Sequence, residues 1–333
     1  MELIDAAQET TYAEAIQQAL REEMARDATV MLLGEDIGDR AGGAFQLAQG
    51  LQTLFGNERV VDMPITESAL VGAAIGAAMM GMRPVVELQF GDFFGGAFHQ
   101  IAQMAAKIHW RTAGEMQVPL VLRGPTGGGT HDGMWHSQSP EAWFAHVPGL
   151  KIVVPSTPYD AKGLLKSAIR DNNPVLFLEH HYLYRRLHEP LPSEEYLVPL
   201  GQAEIRRIGE DVTILTYGAM VYHALEAAEE LAEQHGISAE VMDLRTLAPL
   251  DFESIADSVQ HTHRVVIVHE DALTGGMGAE IAAQIAERLF AALTGPIMRV
   301  AAPDTPYPAA RELEAAYLPD ASRIIAAVRA LVG

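Results

Sequence analysis

Residues 60–89, VVDMPITESALVGAAIGAAMMGMRPVVELQ, combine a proline-containing turn, a helix pattern of small residues and a short apolar run. Similar apolar, β-branched runs occur at residues 30–34, 119–124, 151–156 and 174–179. Runs of this kind are typical of strands that are covered on both faces. Amphipathic stretches lie between them, including 158–170 and 11–26, which Thr11 and Glu14 open with capping-box spacing. This alternation predicts an α/β fold with a mostly parallel sheet.

A second alternation follows a proline-rich stretch. Prolines interrupt the pattern at positions 190, 192 and 199. Apolar runs then resume at 211–218, 239–245, 264–270 and 297–303, with helical patterns between them. A chain of 333 residues is also longer than a single core usually requires. We therefore predict a first domain at 1–186, a linker at 187–210 and a second, smaller α/β domain at 211–333.

Composition and charge narrow the classes of function. The chain has no cysteine, which excludes disulfides, thiolate metal sites and cysteine nucleophiles. Its net charge of −21 opposes binding to nucleic acid or to anionic lipid. No window reaches the roughly 20 apolar residues of a membrane-spanning helix. We therefore expect neither nucleic acid nor a membrane as a partner. The charge is compatible with a basic protein partner, but acidic residues that simply aid solubility are the favoured explanation.

The amino-terminal sequence, MELIDAAQETTYAEAI, bears on localisation. It has neither the basic and apolar regions of a secretory signal nor the arginine-rich character of a transit peptide. We therefore predict a cytoplasmic location.

Glu67 is the first candidate for chemistry, because it opens the small-residue helix pattern. A carboxylate in a first helical turn stabilises the helix through exposed N–H groups and the helix dipole, and position alone favours this role. The small residues from Ala73 to Ala78 also provide a thin helix face, so Glu67 could be buried at an interface. A buried carboxylate retains its proton more strongly and can exchange it with a bound base.

A glycine-rich segment at 124–149 contains His131, His136 and His146. Its glycines allow close approach of the backbone to a ligand, or loop movement. It lacks the GK[ST] ending of a phosphate-binding P-loop, and two histidines five residues apart form a poor zinc motif. His136 is the better candidate for acid–base chemistry, because Ser137 and Gln138 follow it and could orient its ring.

Other notable residues have simpler interpretations. Phe93, after a strand, is more typical of a core than of a cofactor platform. The run GGMGAE at 275–280 lacks the third glycine of a dinucleotide-binding motif. His261, His263 and His269 flank an apolar run and are interpreted as surface or strand-end residues.

Five long motifs together resemble one family. They are GEDIG (34–38), RVVDMPITE (59–67), GMRPVVELQFGDF (81–93), HSQSPEAWFAHVPGLKIVVPSTPYDAKGLL (136–165) and IRDNNPVLFLE (169–179). They resemble the β subunits of the pyruvate and branched-chain 2-oxoacid dehydrogenases. The resemblance implies a transketolase-like pyrimidine-binding domain and a C-terminal transketolase-type domain. It also implies an α2β2 heterotetramer with thiamine diphosphate bound between α and β.

The resemblance also assigns roles to residues. Glu67 matches the glutamate that hydrogen-bonds the aminopyrimidine ring and favours its imino tautomer. Ile65 matches a residue that lines the cofactor pocket, and Phe93 matches the aromatic residue that packs on the pyrimidine. His136 matches a histidine that positions or protonates groups during reductive acylation of the lipoyl group. Gln89 occupies a pocket position where branched-chain members tend to have glutamine.

Metal ions and protein partners are implied in the same way. A structural potassium site of some members matches Leu120, Ala168, Ile169, Asp171 and Asn173. The family holds diphosphate and magnesium with a GDG motif, which is absent from this sequence and is expected on the α subunit. Residues 201–333 carry nine basic and 20 acidic side chains, which would suit docking to a basic domain of the dihydrolipoamide acyltransferase core.

Three other functions remain open from the sequence. The β subunit of an acetoin dehydrogenase would share the fold, the cofactor and the motifs. A non-catalytic assembly subunit would retain the fold without the chemistry, although Glu67, Phe93 and His136 argue against it. A self-sufficient thiamine enzyme such as a transketolase is disfavoured by the short chain and the missing GDG motif.

Overall fold

The computed structural model describes residues 9–333, so the first eight residues of the amino-terminal segment lie outside the described part. The strands are β1 (Glu9–Thr11), β2 (Val30–Glu35), β3 (Val60–Met63), β4 (Arg83–Glu87), β5 (Val121–Thr126), β6 (Lys151–Val153), β7 (Val175–His180), β8 (His188–Pro190), β9 (Glu204–Arg207), β10 (Val212–Thr216), β11 (Ala239–Asp243), β12 (Thr246–Ala248), β13 (Val265–Ala272) and β14 (Met298–Ala302). The helices are α1 (Tyr12–Arg26), α2 (Leu51–Phe55), α3 (Glu67–Met79), α4 (Ala106–Arg111), α5 (Glu141–Ala145), α6 (Pro158–Arg170), α7 (Met220–His235), α8 (Phe252–Thr262), α9 (Met277–Leu289), α10 (Arg311–Tyr317) and α11 (Ala321–Val332).

Among the described residues, the first compact unit comprises 9–125 and 147–200. Six of its strands lie in one sheet in the order β6-β7-β5-β4-β2-β3. The pairs β2–β3, β2–β4, β4–β5 and β6–β7 are parallel. Every residue of β5 and β7 is buried, as expected for strands covered on both faces. The carboxyl ends of neighbouring parallel strands therefore meet at one edge, which is where α3 begins.

The second compact unit comprises residues 126–146 and 201–333. Its sheet has five strands in the order β14-β13-β10-β11-β9. The central pairs are parallel, and only β9 is antiparallel to its neighbour β11. The predicted fold, two α/β units with mostly parallel sheets, is confirmed by this topology.

Two features differ from the predicted organisation. Residues 126–146 belong to the second unit by their contacts, although the prediction assigned them to a first domain at 1–186. The predicted linker at 187–210 contains β8 and β9 rather than irregular chain alone. The division into 1–186, 187–210 and 211–333 stays a prediction.

Local signals in the sequence explain several boundaries. Thr11 caps α1, and Glu14 completes the predicted capping box. Thr157 caps α6, and Pro158 occupies its first turn. A π-helix at His99–Ala105, which no pattern indicated, precedes α4. Within residues 9–333, no helix is both long and apolar enough to cross a membrane.

Candidate active site

Glu67 is the first residue of α3 and is half-buried. The backbone of residues 93–96 passes close to its carboxylate. A β carbon built on Gly96 would lie 3.6 Å from Glu67 Oε2 and 3.3 Å from the carbonyl oxygen of Phe93. The structure therefore brings Glu67 and Phe93, two residues predicted for one site, to the same edge of the sheet.

Phe93 continues into a cluster of aromatic rings. It is half-buried and meets Phe90 edge-on, with ring centroids 5.8 Å apart. Phe45 meets Phe90 in the same way and stacks on His181. Such edge-on and stacked pairs hold rings in defined orientations. The ring of Phe93 thus contacts this cluster while its carbonyl lies beside Gly96 near Glu67, and Phe93 is not part of the fully buried core.

Ile65 lies in the turn before α3 and is 70% exposed. An apolar side chain this exposed is available to line a pocket or to contact another chain. Gln89, just after β4, donates a hydrogen bond from Nε2 to Asp36 Oδ2 at 3.2 Å. Asp36 follows β2 and has a positive φ of 56°. The predicted pocket residue Gln89 is thus anchored to the end of a neighbouring strand.

Glu35 is a neighbour of Glu67 that sequence reasoning did not single out. It is 1% exposed and accepts a hydrogen bond from the backbone N–H of Thr66 at 3.1 Å. Burial raises the pKa of Glu35, and the adjacent charges of Glu67 and Asp36 raise it further. Its Oε2 has no hydrogen-bond partner among residues 9–333. The site therefore contains two neighbouring carboxyl groups, of which Glu35 is the more buried. The sequence feature that could have identified Glu35 is its place in GEDIG, at the carboxyl end of a buried strand.

The residues of this edge fit one half of a pocket for an aminopyrimidine. Glu67 offers a hydrogen-bonding carboxylate, Phe93 an aromatic ring and Ile65 an exposed apolar contact. They do not provide a metal site, since the described part of the chain has no group of three or more His, Cys, Asp or Glu residues that could hold an ion.

His136 lies in the second unit, in what we call the glycine-rich loop, residues 126–138. It ends a short 3-10 turn at Gly133–Trp135 and is half-buried. The hydroxyl of Ser137 is buried without a hydrogen-bond partner among the described residues. Gln138 donates from Nε2 to the carbonyl of Met134 at 2.9 Å. The expected part of these two side chains in orienting the His136 ring therefore stays a prediction.

The residues predicted for potassium lie together where α6 ends and the chain enters β5 and β7. The carbonyl of Leu120 accepts from Val175 N at 2.8 Å, and that of Ala168 accepts from Asp171 N at 3.2 Å. Asp171 accepts from the backbone N–H of Asn173 at 2.8 Å and pairs with Lys151. Burial opposes ionisation of Asp171, but hydrogen bonds from Lys151 and Asn173 outweigh it and lower its pKa.

Family models match both parts of the chain. A transketolase pyrimidine-binding domain matches residues 8–186, and a transketolase C-terminal domain matches residues 201–324. A solved split-gene transketolase, described as an inactive beta4 tetramer, has a TM-score of 0.76 and 25% identity to this chain. The match covers 96% of this chain and 97% of the other.

Curated relatives match over nearly the full length. The 2-oxoisovalerate dehydrogenase subunit beta of Bacillus subtilis is 49% identical, over 96% of this chain and 98% of the relative. The pyruvate dehydrogenase E1 component subunit beta of the same organism is 45% identical, over 96% and 97%. The acetoin:2,6-dichlorophenolindophenol oxidoreductase subunit beta of Cupriavidus necator is 47% identical, over 95% of each chain. The chain therefore belongs to the family of E1 beta subunits of the 2-oxoacid dehydrogenases, with a transketolase-type pyrimidine-binding domain and a transketolase-type C-terminal domain.

Proposed function

We propose that this chain supplies the pyrimidine-binding half of a thiamine diphosphate site in an enzyme that oxidatively decarboxylates a 2-oxoacid. The observation that carries the proposal is the position of Glu67. Its carboxylate opens α3 beside Phe93 and Gly96, at the carboxyl edge of a parallel sheet. Ligands of open α/β sheets bind outside this edge. Family membership then gives that carboxylate a specific partner, the aminopyrimidine ring.

Each residue of the edge has a defined task in this proposal. Glu67 hydrogen-bonds the pyrimidine ring and holds a proton there. The ring of Phe93 packs on the pyrimidine face, and Ile65 closes the side of the pocket. Thiamine diphosphate, when bound, supplies the carbon nucleophile and the electron sink for loss of carbon dioxide. The protein contributes binding, orientation and proton transfer.

The second step assigned to the enzyme is reductive acylation of a lipoyl group on the dihydrolipoamide acyltransferase. His136 positions or protonates groups in this transfer, which is a role suited to an imidazole near neutral pH. The acidic second unit would attract a basic domain of the acyltransferase core. Such charge complementarity speeds association more than it tightens binding.

The α subunit is the partner that completes the site, in an α2β2 assembly. The division of labour is supported by the absence of a GDG motif from the sequence. The related split-gene transketolase chain is described as inactive as a beta4 tetramer. A potassium ion at Leu120, Ala168, Ile169, Asp171 and Asn173 is part of the same proposal. It would bind mainly to backbone oxygens and stabilise the end of α6.

The substrate is a 2-oxoacid, and Gln89 favours a branched one. The 2-oxoisovalerate and pyruvate relatives differ by only four points of identity, 49% against 45%, so overall similarity does not decide between them. Acetoin is the second candidate, supported by the 47% identical relative from Cupriavidus necator. We keep the cytoplasmic location as a prediction from the sequence.

The proposal is tested by Glu67→Gln in the chain assembled with its α subunit. Glutamine preserves the shape of the side chain but cannot hold the carboxylate proton. Decarboxylation measured with an artificial electron acceptor should fall by about 100-fold or more, a typical effect of losing a proton-transfer group. The assay should be run on pyruvate, on a branched 2-oxoacid and on acetoin, so that the substrate is identified together with the role of Glu67.

Glu58→Gln is the matched control, because Glu58 is an exposed carboxylate in the same unit. It should retain the activity of the parent. If Glu67→Gln assembles normally and keeps its activity, Glu67 has only a structural role. The alternative function, a non-catalytic assembly subunit, would then be favoured.

A further inference from the structure

Two carboxylates from distant parts of the second unit hold the glycine-rich loop. Gly128 N donates to Glu270 Oε1, and Gly129 N donates to Glu314 Oε1 at 3.0 Å. His131 N donates to the same oxygen of Glu314 at 3.2 Å. The bonded residues are 142 to 185 positions apart in the sequence. Remote side chains, as well as local turns, therefore set the conformation of the loop.

Glu314 is the centre of this arrangement. It lies on α10 and is 1% exposed. Besides the two loop N–H groups it accepts from the hydroxyl of Tyr307 at 3.1 Å, and its Oε2 pairs with His131 Nδ1. A buried carboxylate is tolerated only when such donors satisfy it. A neutral amide at this position could keep an acceptor oxygen for these donors, but it would lose the negative charge. Hydrogen bonds to a charged carboxylate are roughly twice as strong as those to a neutral oxygen, so the loop would be held more weakly.

The loop also fits closely against the same elements. A β carbon at Gly128 would lie 1.4 Å from the hydroxyl oxygen of Tyr307. Tyr307 itself packs on Tyr317, with ring centroids 4.7 Å apart, and densely packed side chains move little. Gly127 and Gly129 have φ values of +81° and +87°. Glycine is required here by backbone conformation and by close approach.

The anchored residues flank His136 in the chain. His131, held through its N–H and its ring, begins the segment that leads to His136. Gln138 ends this segment, and its carbonyl accepts from Gly127 N at 3.1 Å. Between them, His136 N donates to the carbonyl of Gly133 at 3.2 Å and closes a single turn. The backbone of His136 is therefore held between two anchored points, and we expect a shift at the Glu314 end to move it.

We propose that Glu314 is a positioning residue that fixes the glycine-rich loop and thereby places His136 for transfer to the lipoyl group. This inference rests on the function proposed for His136. Glu270 adds a second anchor at Gly128. Loss of Glu314 should therefore impair the lipoyl step more than decarboxylation, which depends on Glu67 in the other unit.

The test compares Glu314→Gln with Glu312→Gln, an exposed carboxylate on the same helix, in the chain assembled with its α subunit. Hydrogen–deuterium exchange of the peptide covering residues 127–135 should be about tenfold faster in Glu314→Gln and unchanged in the control. The kcat for acylation of a lipoyl domain should fall about tenfold, while decarboxylation with an artificial acceptor stays within about threefold of the parent. Glu314→Asp, one methylene shorter, should show the same split and provides a second variant if the first fails to fold.

His136→Ala, measured alongside, separates this inference from the proposed function. If His136→Ala retains lipoyl acylation, the role proposed for His136 is wrong. The proposal that Glu314 places His136 for acylation is then overturned as well, and the exchange data show only whether Glu314 holds the loop. If His136→Ala loses acylation while the loop amides of Glu314→Gln exchange as in the parent, positioning by Glu314 is overturned. An equal loss of both activities in Glu314→Gln also overturns it, because it indicates general damage.

Discussion

His269 is fully buried in β13, although the sequence suggested a surface or strand-end residue for it. That expectation was wrong for His269, whereas His261 and His263 are exposed. Burial lowers the pKa of His269 to about 4, and the nearby charge of Arg299 contributes to the shift. At neutral pH the ring is therefore uncharged. The position of His269 beside an apolar run could not show whether it lies inside the strand or at its end.

This pKa predicts acid sensitivity. The unfolded histidine binds a proton below about pH 6.5, whereas the folded one does so only near pH 4. Stability from the neutral ring is thus present above pH 6.5 and is lost as pH falls toward 4, by up to about 3 kcal/mol. We expect the melting temperature of His269→Gln to fall less than that of the parent between pH 6.5 and 4.5. Thermal unfolding monitored by circular dichroism at a series of pH values measures this difference.

His235→Gln is the control, because His235 is an exposed histidine of the same unit. The melting temperature of His235→Gln should change with pH in the same way as that of the parent. Parallel pH profiles for His269→Gln and the parent would show that His269 does not contribute to acid unfolding.

Sequence reasoning identified Glu67 but not Glu35, which contacts the same turn. Glu67 stood out because it opens a helix pattern and lies in a long family motif. Glu35 lies at the end of a strand run, and its proximity to Glu67 depends on the pairing of β2 with β3. Strand order is a tertiary property that a single sequence does not display.

At the scale of elements, the glycines of GGMGAE show how closely the start of α9 packs against β13. A β carbon on Gly276 would lie 2.6 Å from Cε1 of His269, and one on Gly278 would lie 2.6 Å from its Nε2. The run therefore makes room for a buried imidazole, which gives its glycines a packing role rather than one in a dinucleotide-binding motif. The close contact fixes α9 against β13.

Gly278→Ala should destabilise the second unit by about 1–3 kcal/mol, because the added methyl group overpacks the contact with His269. Urea unfolding of the variant measures the loss. His269→Ala leaves a cavity and should be destabilising alone, but the double variant should recover part of the loss caused by Gly278→Ala. Additive effects of the two substitutions would show that the methyl group is accommodated elsewhere.

Elements with strong local signals were predictable. The apolar runs gave β2, β4, β5, β6 and β7 in the first unit, and capping residues located α1 and α6. Short strands such as β8 and β9 were not found, because three or four residues carry little periodicity. The helix α11 was missed although Asp320 caps it and its apolar residues are spaced for a buried face. That signal was present in the sequence and could have been used.

At the scale of the whole chain, the grouping of residues 126–146 with the second unit was not predictable from local patterns. It depends on contacts such as those of Gly128 with Glu270 and Gly129 with Glu314, across more than 140 residues. Glu270 ends an apolar run that was interpreted only as a strand, and Glu314 lies in a stretch for which no element was predicted. The family resemblance predicted the domain types and the candidate site residues. It did not predict these long-range hydrogen bonds to the loop.

The proposed division of the cofactor site between two chains gives the last prediction. Glu67, Phe93 and Ile65 are the residues proposed to contact the pyrimidine, and the sequence has no GDG motif for the diphosphate and its magnesium. Because charged phosphate groups contribute strongly to binding through their metal, the chain alone should bind thiamine diphosphate weakly. Calorimetric titration with thiamine diphosphate and magnesium should show tight binding only when the chain is assembled with a GDG-containing α subunit. An affinity gain of about 100-fold or more on assembly corresponds to roughly 3 kcal/mol and is within reach of a few charge-assisted hydrogen bonds and a metal. Tight binding by the chain alone would mean that its own residues hold the diphosphate, and the shared-site model would have to be abandoned.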